Sequence, residues 1–317
     1  MSNFKFIDLF AGIGGFHQAL HSLGGTCVFA CEIDAHARRT YQANFQAVAP
    51  NLFKIHPQGK KNEVTLFEQR NFAEDVAKVD LAKVPAYDVL CAGFPCQPFS
   101  QAGYKRGFQD PKDNRGNMFF SILEFLKAHR PKAYFLENVR HLIRHDEGRT
   151  LETIRTQLTA LGYSFAYKVV KASDHGLPQH RPRVFIIGFR DDILARENYQ
   201  FAEPKELTTF MSDIFGEPCN KSIGYTLRVG GKSSGINDRR NWDTYAVAGG
   251  IRKITSVEGR KMNGFPDDFS FPVSETQAMK QLGNSVAVPA IRATALQILK
   301  VLINDDRAKE SQQRRVE

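Results

Sequence analysis

Short apolar runs punctuated by glycine and proline alternate along this chain with segments of helical periodicity. Phe4-Lys5-Phe6-Ile7-Asp8-Leu9-Phe10 reads as a strand, and the helical pattern of residues 16–23 follows it across the turn Ala11-Gly12-Ile13-Gly14-Gly15. Residues 26–31 form a second strand-like run ending at Glu32, and Asp75-Val76 stands after a third. Tyr87-Asp88-Val89-Leu90, bounded by Pro85, is a short buried strand. Residues 118–129 read as a helix that Pro131 ends, and Ala133-Tyr134-Phe135-Leu136 is the next buried strand. A helix over 150–161 stops at Gly162, strands cover 165–171 and 184–189, and a last helix covers 289–302. Between these, residues 50–61 are a polar loop, and residues 101–115 carry glycine and charge without periodicity, as a mobile loop closing over a substrate does. From 190 to 250 the chain turns acidic, then basic and glycine-rich, with little regular period, and 304–317 read as a polar, frayed tail. No internal repeat of fixed period is present. Strands alternating with helices predict an α/β fold.

Composition refines this picture. A chain of 317 residues with 42% hydrophobic content buries one sizeable core and carries a smaller second lobe. Met1-Ser2-Asn3 leads directly into an apolar strand, without the pattern of a signal peptide, and no apolar run approaches membrane-spanning length, so a cytoplasmic protein is expected. The five cysteines are odd in number and lack the spacings of zinc ligands, so neither disulfides nor a metal is expected. A formal charge of +9 and a pI near 9.3 suggest a polyanionic partner. Residues 221–261 hold nine Lys and Arg against three acids, with seven glycines interleaved. Such a stretch is either a solvated loop face or a set of loops laid against a phosphate backbone.

Candidate chemistry gathers at strand ends. In Pro95-Cys96-Gln97-Pro98 two prolines flank one thiol, which is either a small buried residue in a tight turn or a nucleophile whose direction is fixed. The turn at Gly12 and Gly14 between strand and helix is a nucleotide-cofactor entrance, where a Cβ would keep the backbone from its ligand. Three residues past Gly14 stands His17, so the dinucleotide fingerprint is incomplete; that argues against NAD and leaves S-adenosylmethionine open. Glu32 is either a ribose acceptor or a surface acid. Glu137, ending an apolar strand, is either paired structurally or held for chemistry with a raised pKa. The arginines of Gln179-His180-Arg181-Pro182-Arg183 either form surface ion pairs or serve a substrate.

Cys91-Ala92-Gly93-Phe94-Pro95-Cys96-Gln97-Pro98-Phe99-Ser100 matches, almost letter for letter, the nucleophile loop of the C5-cytosine DNA methyltransferases. Glu137-Asn138-Val139 resembles a second signature of that family, Asp113-Asn114-Arg115-Gly116 its D-x-R-G motif, and residues 179–183 its Q-x-R-x-R motif. Residues 252–266 resemble its R-x-L-T-x-x-E-x-x-R-x-x-G-F-P block, with Lys261 where that pattern has arginine, and Gln281-Leu282-Gly283-Asn284-Ser285-Val286 matches Q-x-G-N-S-V. The matches keep family order from Phe10 to Val286.

The resemblance implies a Rossmann-like methyltransferase domain with a mixed, mostly parallel sheet over residues 1–190, completed by about 275–302, plus a small target-recognition domain over 191–274 and a polar tail over 303–317. Phe10, Gly12, Gly14, Glu32, Ile33, Asp75, Val76, Pro95, Met118, Asn284 and Ser285 would bind S-adenosylmethionine; the family commonly has an aromatic where Ile33 stands. Cys96 would attack cytosine C6, Glu137 would bond the N3 side of the ring, Arg183 would hold O2 and Arg181 a backbone phosphate. Because the target is stacked in a duplex, it must rotate out into the pocket. Ser100, Arg115, Arg228, Arg239, Arg240 and Trp242 are the candidate DNA contacts. By the same resemblance the protein is a bacterial or phage enzyme of restriction-modification type, acting as a monomer on a short sequence of double-stranded DNA, with a cognate endonuclease in its system. An RNA methyltransferase of the same family, a noncatalytic binder that kept the fold and an NAD oxidoreductase are the competing readings.

Overall fold

The computed structural model describes residues 3–53, 71–95, 118–230 and 235–313. The amino-terminal strand β1 (Phe4–Leu9) leads through the glycine turn into α1 (Gly15–His21), then β2 (Gly25–Cys31) and α2 (Ala35–Phe45). The carboxylate of Asp34 starts α2 by accepting from His36 N at 2.8 Å and Ala37 N at 3.2 Å. A two-residue strand β3 (Phe72–Ala73) completes this half, and β4 (Val89–Gly93), α3 (Met118–His129), β5 (Ala133–Val139) and α4 (Arg149–Ala160) build the other. Two further strands, β6 (Ala166–Lys171) and β7 (Pro182–Phe189), end the sheet.

The sheet order is β3-β2-β1-β4-β5-β7-β6. Neighbours from β3 to β5 run parallel, whereas β7 is antiparallel to both β5 and β6. The sheet is therefore mixed and mostly parallel. The chain lays down one half outward from β1 and then returns to start the other at β4, so the strand order reverses between them, where open α/β sheets leave a crevice at the carboxyl ends of their strands.

Strand alternation sorts the side chains into two apolar layers. Phe6, Cys91, Phe135, Phe185 and Ile187 face one layer, and Ile7, Leu9, Leu90, Tyr134, Leu136 and Ile186 face the other, beneath α3 and α4. Both faces are covered, so the strands read as near-continuous apolar runs. Polar groups enclosed in the first layer are shifted toward their neutral forms by burial. It raises the Asp8 carboxyl well above the usual range and lowers His17, which hydrogen-bonds Tyr41 at 2.7 Å, to about 3.

Beyond β7 the chain forms α5 (Met211–Phe215), an antiparallel pair β8 (Thr244–Val247) and β9 (Gly250–Lys253), then α6 (Ser256–Asn263), α7 (Glu275–Asn284) and α8 (Val288–Gln313). Trp242, Tyr245 and Met262 of this part belong to the same apolar layer as Phe6 and Phe135, so the segment after β7 shares the core of the sheet.

Two expectations about the carboxyl end are corrected. The tail does not fray after 303: α8 continues to Gln313 because Asp305, almost fully buried, accepts from Leu194 N at 2.6 Å and pairs with Lys309 at 2.8 Å. A membrane-spanning length is also reached, since the helical stretch 275–313 is long and apolar enough, yet 61% of its most apolar window is buried inside the fold, as in a core helix.

Candidate active site

The ends of β1, β2, β4 and β5 open into one cavity of about 750 Å³. At its floor the chain leaves β1 through Phe10 and Gly12, both left-handed at φ 56°, and Ala11 N donates to Cys31 O at 2.9 Å. A Cβ at Gly12 would meet no protein atom within 4 Å, so bare backbone faces open space on the cavity wall. Gly14 is left-handed too, but a Cβ there would lie 2.2 Å from the Phe45 ring. The space a side chain would need there is filled by packing under the turn, and Gly14 is not among the residues lining the cavity.

Glu32, just past β2, lines the cavity with one carboxylate oxygen accepting from Gly12 N at 2.7 Å and the other from Asp34 N at 2.8 Å. Burial pushes its pKa up, and those two N–H groups oppose the shift. Ile33, Asp75, Val76, Pro95, Met118 and Asn284 line the same space, and Ile33 is 66% exposed at the rim. Ser285 does not line it: the residue is buried, and its carbonyl accepts from Arg181. Cys96, Ser100 and Arg115 lie outside the described residues.

β5 and β7 supply the opposite wall. Glu137 shares a strand face with Phe135, and Arg183 with Phe185, so both point toward the same layer. Arg183 Nε lies 2.9 Å from Glu137 Oε1 as an ion pair of two largely buried side chains, although no donor among the described residues is aligned on that oxygen for a directed hydrogen bond. Burial raises the Glu137 pKa, and the Arg183 and Arg181 cations pull it part of the way back. A carboxyl that keeps its proton beyond the ordinary range, beside a guanidinium, presents a hydrogen-bond donor and a cation to adjacent acceptors on a planar ring. Next to it, Asn138 Nδ2 donates to Phe94 O at 2.9 Å and ties the end of β5 to the segment entering Pro95.

The assigned basic contacts divide. Arg228 is exposed on the cavity wall. Arg239 is exposed and makes no ion pair with a described residue, while Arg240 pairs with Asp238 at 2.7 Å. Two assignments are corrected. Arg181 is buried, donating to the carbonyls of Leu227, Gly283 and Ser285, and so faces no phosphate. Trp242 is a core residue whose Nε1 donates to Gly230 O at 3.0 Å. Sequence reasoning missed Thr226, Val229 and Lys280 on the cavity wall. Lys280 had a readable signal in its place one position before the Gln281 motif, and it pairs with Asp34 at 3.0 Å across the rim. Thr226 and Val229 lie in a stretch of no periodicity and had none.

A mostly parallel sheet with an antiparallel end, and a cavity across its carboxyl ends, define a Rossmann-like fold of the methyltransferase class. Two solved structures share it: a DNMT2 mutant from Spodoptera frugiperda (TM-score 0.66, 18% identity, covering 95% of this chain and 99% of that one) and the Dnmt2 methyltransferase of S. pombe (TM-score 0.64, 16% identity, 96% and 100%). The family model for C-5 cytosine-specific DNA methylase matches residues 4–232 and 231–300. Among curated relatives, the type II methyltransferase M.HpaII of Haemophilus parainfluenzae is 38% identical over 95% of this chain and 90% of its own length. M.DsaV of Dactylococcopsis salina is 36% identical (96% and 89%), and M.HhaI of Haemophilus parahaemolyticus 34% (94% and 95%). The chain belongs to the C-5 cytosine-specific DNA methylase family. It is a DNA (cytosine-5-)-methyltransferase.

Proposed function

We propose that the protein transfers a methyl group from S-adenosylmethionine to C5 of a cytosine within a short specific sequence of double-stranded DNA, as a cytoplasmic monomer that protects DNA in a restriction-modification system. The observation that carries the reading is the Glu137–Arg183 pair, set in the wall of a cavity whose other side is the Gly12 turn and Glu32. The type II methyltransferases it resembles support the restriction-modification setting.

The residues present fit the cofactor. Gly12 leaves room for close approach, and each Glu32 oxygen, holding one N–H, keeps a lone pair for a hydroxyl. Ile33, Asp75 and Val76 would hold the adenine side, and Phe10 and Asn284 the remainder. When bound, S-adenosylmethionine supplies an electrophilic methyl group.

The chain's own residues do the rest. Cytosine C5 is a poor nucleophile until something adds at C6, and the Cys96 thiolate forms that bond. Charge pushed into the ring is met at N3 by the protonated Glu137 and at O2 by Arg183. Once C5 carries the methyl group, loss of the C5 proton and breaking of the sulfur–C6 bond restore the ring and free Cys96. The target cytosine reaches these groups only when rotated out of the duplex, which costs roughly a few kcal/mol.

Methyl transfer from labelled S-adenosylmethionine to unmethylated genomic DNA, followed by bisulfite sequencing, tests this. We expect methylation at one short motif, abolished in Cys96→Ala. Incorporation into tRNA instead of DNA would move the substrate to RNA, and cofactor binding with no transfer to either would remove the catalytic claim.

A further inference from the structure

The recognition segment reaches the cavity through an irregular peptide. Leu227 is buried and lies in no strand, so its N–H and C=O have no ladder to pair with. Side chains from the approach to β7 meet both. Gln179 Oε1 accepts from Leu227 N at 3.2 Å, and Arg181 Nη1 donates to Leu227 O at 3.3 Å. Each is anchored elsewhere. Gln179 Nε2 donates to Met262 O and Asn263 Oδ1, both at 2.9 Å, and Arg181 Nη2 donates to Gly283 O at 3.0 Å and to Ser285 O. From the far side α7 closes on the next peptide, Arg228–Val229, since a Cβ at Gly283 would lie 2.6 Å from the backbone carbon of Arg228.

Arg181 is a buried cation whose described hydrogen bonds all go to neutral carbonyls. Burying it costs stability that apolar filler would spare, so the arrangement is accounted for by what it holds. What it holds is position: Thr226 and Arg228 flank the pinned peptide and line the cavity with Glu137 and Arg183. Because 179, 181 and 183 lie on one stretch of chain, recognition side chains and reacting groups share one rigid reference.

We propose that Gln179 and Arg181 are positioning residues for target recognition, fixing the Leu227 peptide so that Arg228 meets the DNA in one register. This rests on the reading of the cavity as the cytosine site.

The test uses the full-length enzyme with Arg181→Lys, Gln179→Met and Arg228→Ala, singly and with the first and third combined. Lysine keeps the charge but loses the planar fork that spans three carbonyls. Assays measure kcat and KM on a duplex bearing the recognised site and on duplexes with one base pair changed, together with cofactor affinity. We expect Arg181→Lys to raise KM for DNA and lower discrimination between the duplexes, each by about tenfold, the scale of one well-placed base contact. Cofactor affinity should hold, because Ser285 N also donates to Gln281 O at 2.9 Å and keeps the Asn284 loop anchored. The double variant should discriminate no worse than Arg228→Ala alone. Wild-type discrimination in Arg181→Lys, or independent multiplication of the two effects, would overturn the proposal. Should Arg181→Lys not fold, Gln179→Met carries the same expectation. Hydrogen exchange on the wild type needs no variant: the Leu227 amide should be protected before DNA is added, and fast exchange there would also refute the pinning. If the wild type methylates no DNA, the reading of the cavity has failed; if it does and the variants match it, the positioning role alone has failed.

Discussion

Glu137 is pulled in two directions, and the balance sets how it works. Burial favours its neutral form and two arginines favour its anion; burial wins, so the proton stays on above the ordinary carboxylate range. With the folded pKa raised, the donor form dominates at low pH and is lost as pH rises through that pKa. Ionisation of Cys96 has the opposite sign, so turnover should rise and then fall with pH. We expect Glu137→Gln to lower kcat by about 10²-fold or more and to remove the falling limb, because an amide has no proton to lose. A falling limb that survives in the variant would assign it to another group. The places of Glu137 and Arg183 at an apolar strand's end and start were readable, while their roles came from the family resemblance. Arg181 was misread, since residue type alone does not tell a phosphate contact from a buried clamp.

At the scale of elements, α8 is the instructive case. Its apolar part was legible from residue 289 to 302, but the polar sequence Asp305-Asp306-Arg307-Ala308-Lys309 carries no apolar stripe and looks solvated. The helix persists because one carboxylate turns inward to an unpaired backbone N–H at Leu194, over a hundred residues away in sequence. Asp305→Ala leaves that buried donor unmet, a loss of roughly 1–3 kcal/mol. Urea denaturation should show a lower midpoint with an unchanged slope, and a variant as stable as wild type would return this end of the helix to the status of a frayed tail. The glycine turn was legible as an element, yet its two left-handed glycines sit in different surroundings, Gly12 against open space on the cavity wall and Gly14 against the Phe45 ring.

For the whole molecule, the basic stretch 221–261 holds part of its charge in internal ion pairs. Of its nine Lys and Arg, Arg240, Arg252 and Arg260 are held in ion pairs with Asp238, Glu217 and Asp267. Nine phosphate contacts would give a log–log slope of affinity against salt of about −8, and each ion pair that persists on binding makes it shallower by about 0.9. We expect a shallower value from fluorescence anisotropy between about 50 and 200 mM salt, and a slope of about −8 would show that DNA breaks those pairs. Apolar runs and the glycine turn were enough to place the strands and helices, because these depend on neighbours a few residues apart; the mixed, mostly parallel sheet came from the family resemblance. Depth was beyond them. That Arg181 is sealed while Arg183 reaches Glu137, that Trp242 is core, and that residues 226–229 enter the cavity all depend on Leu227, Gly283 and Ser285 arriving from distant parts of the chain. Local geometry sets which face a side chain takes; only the folded chain decides what covers it.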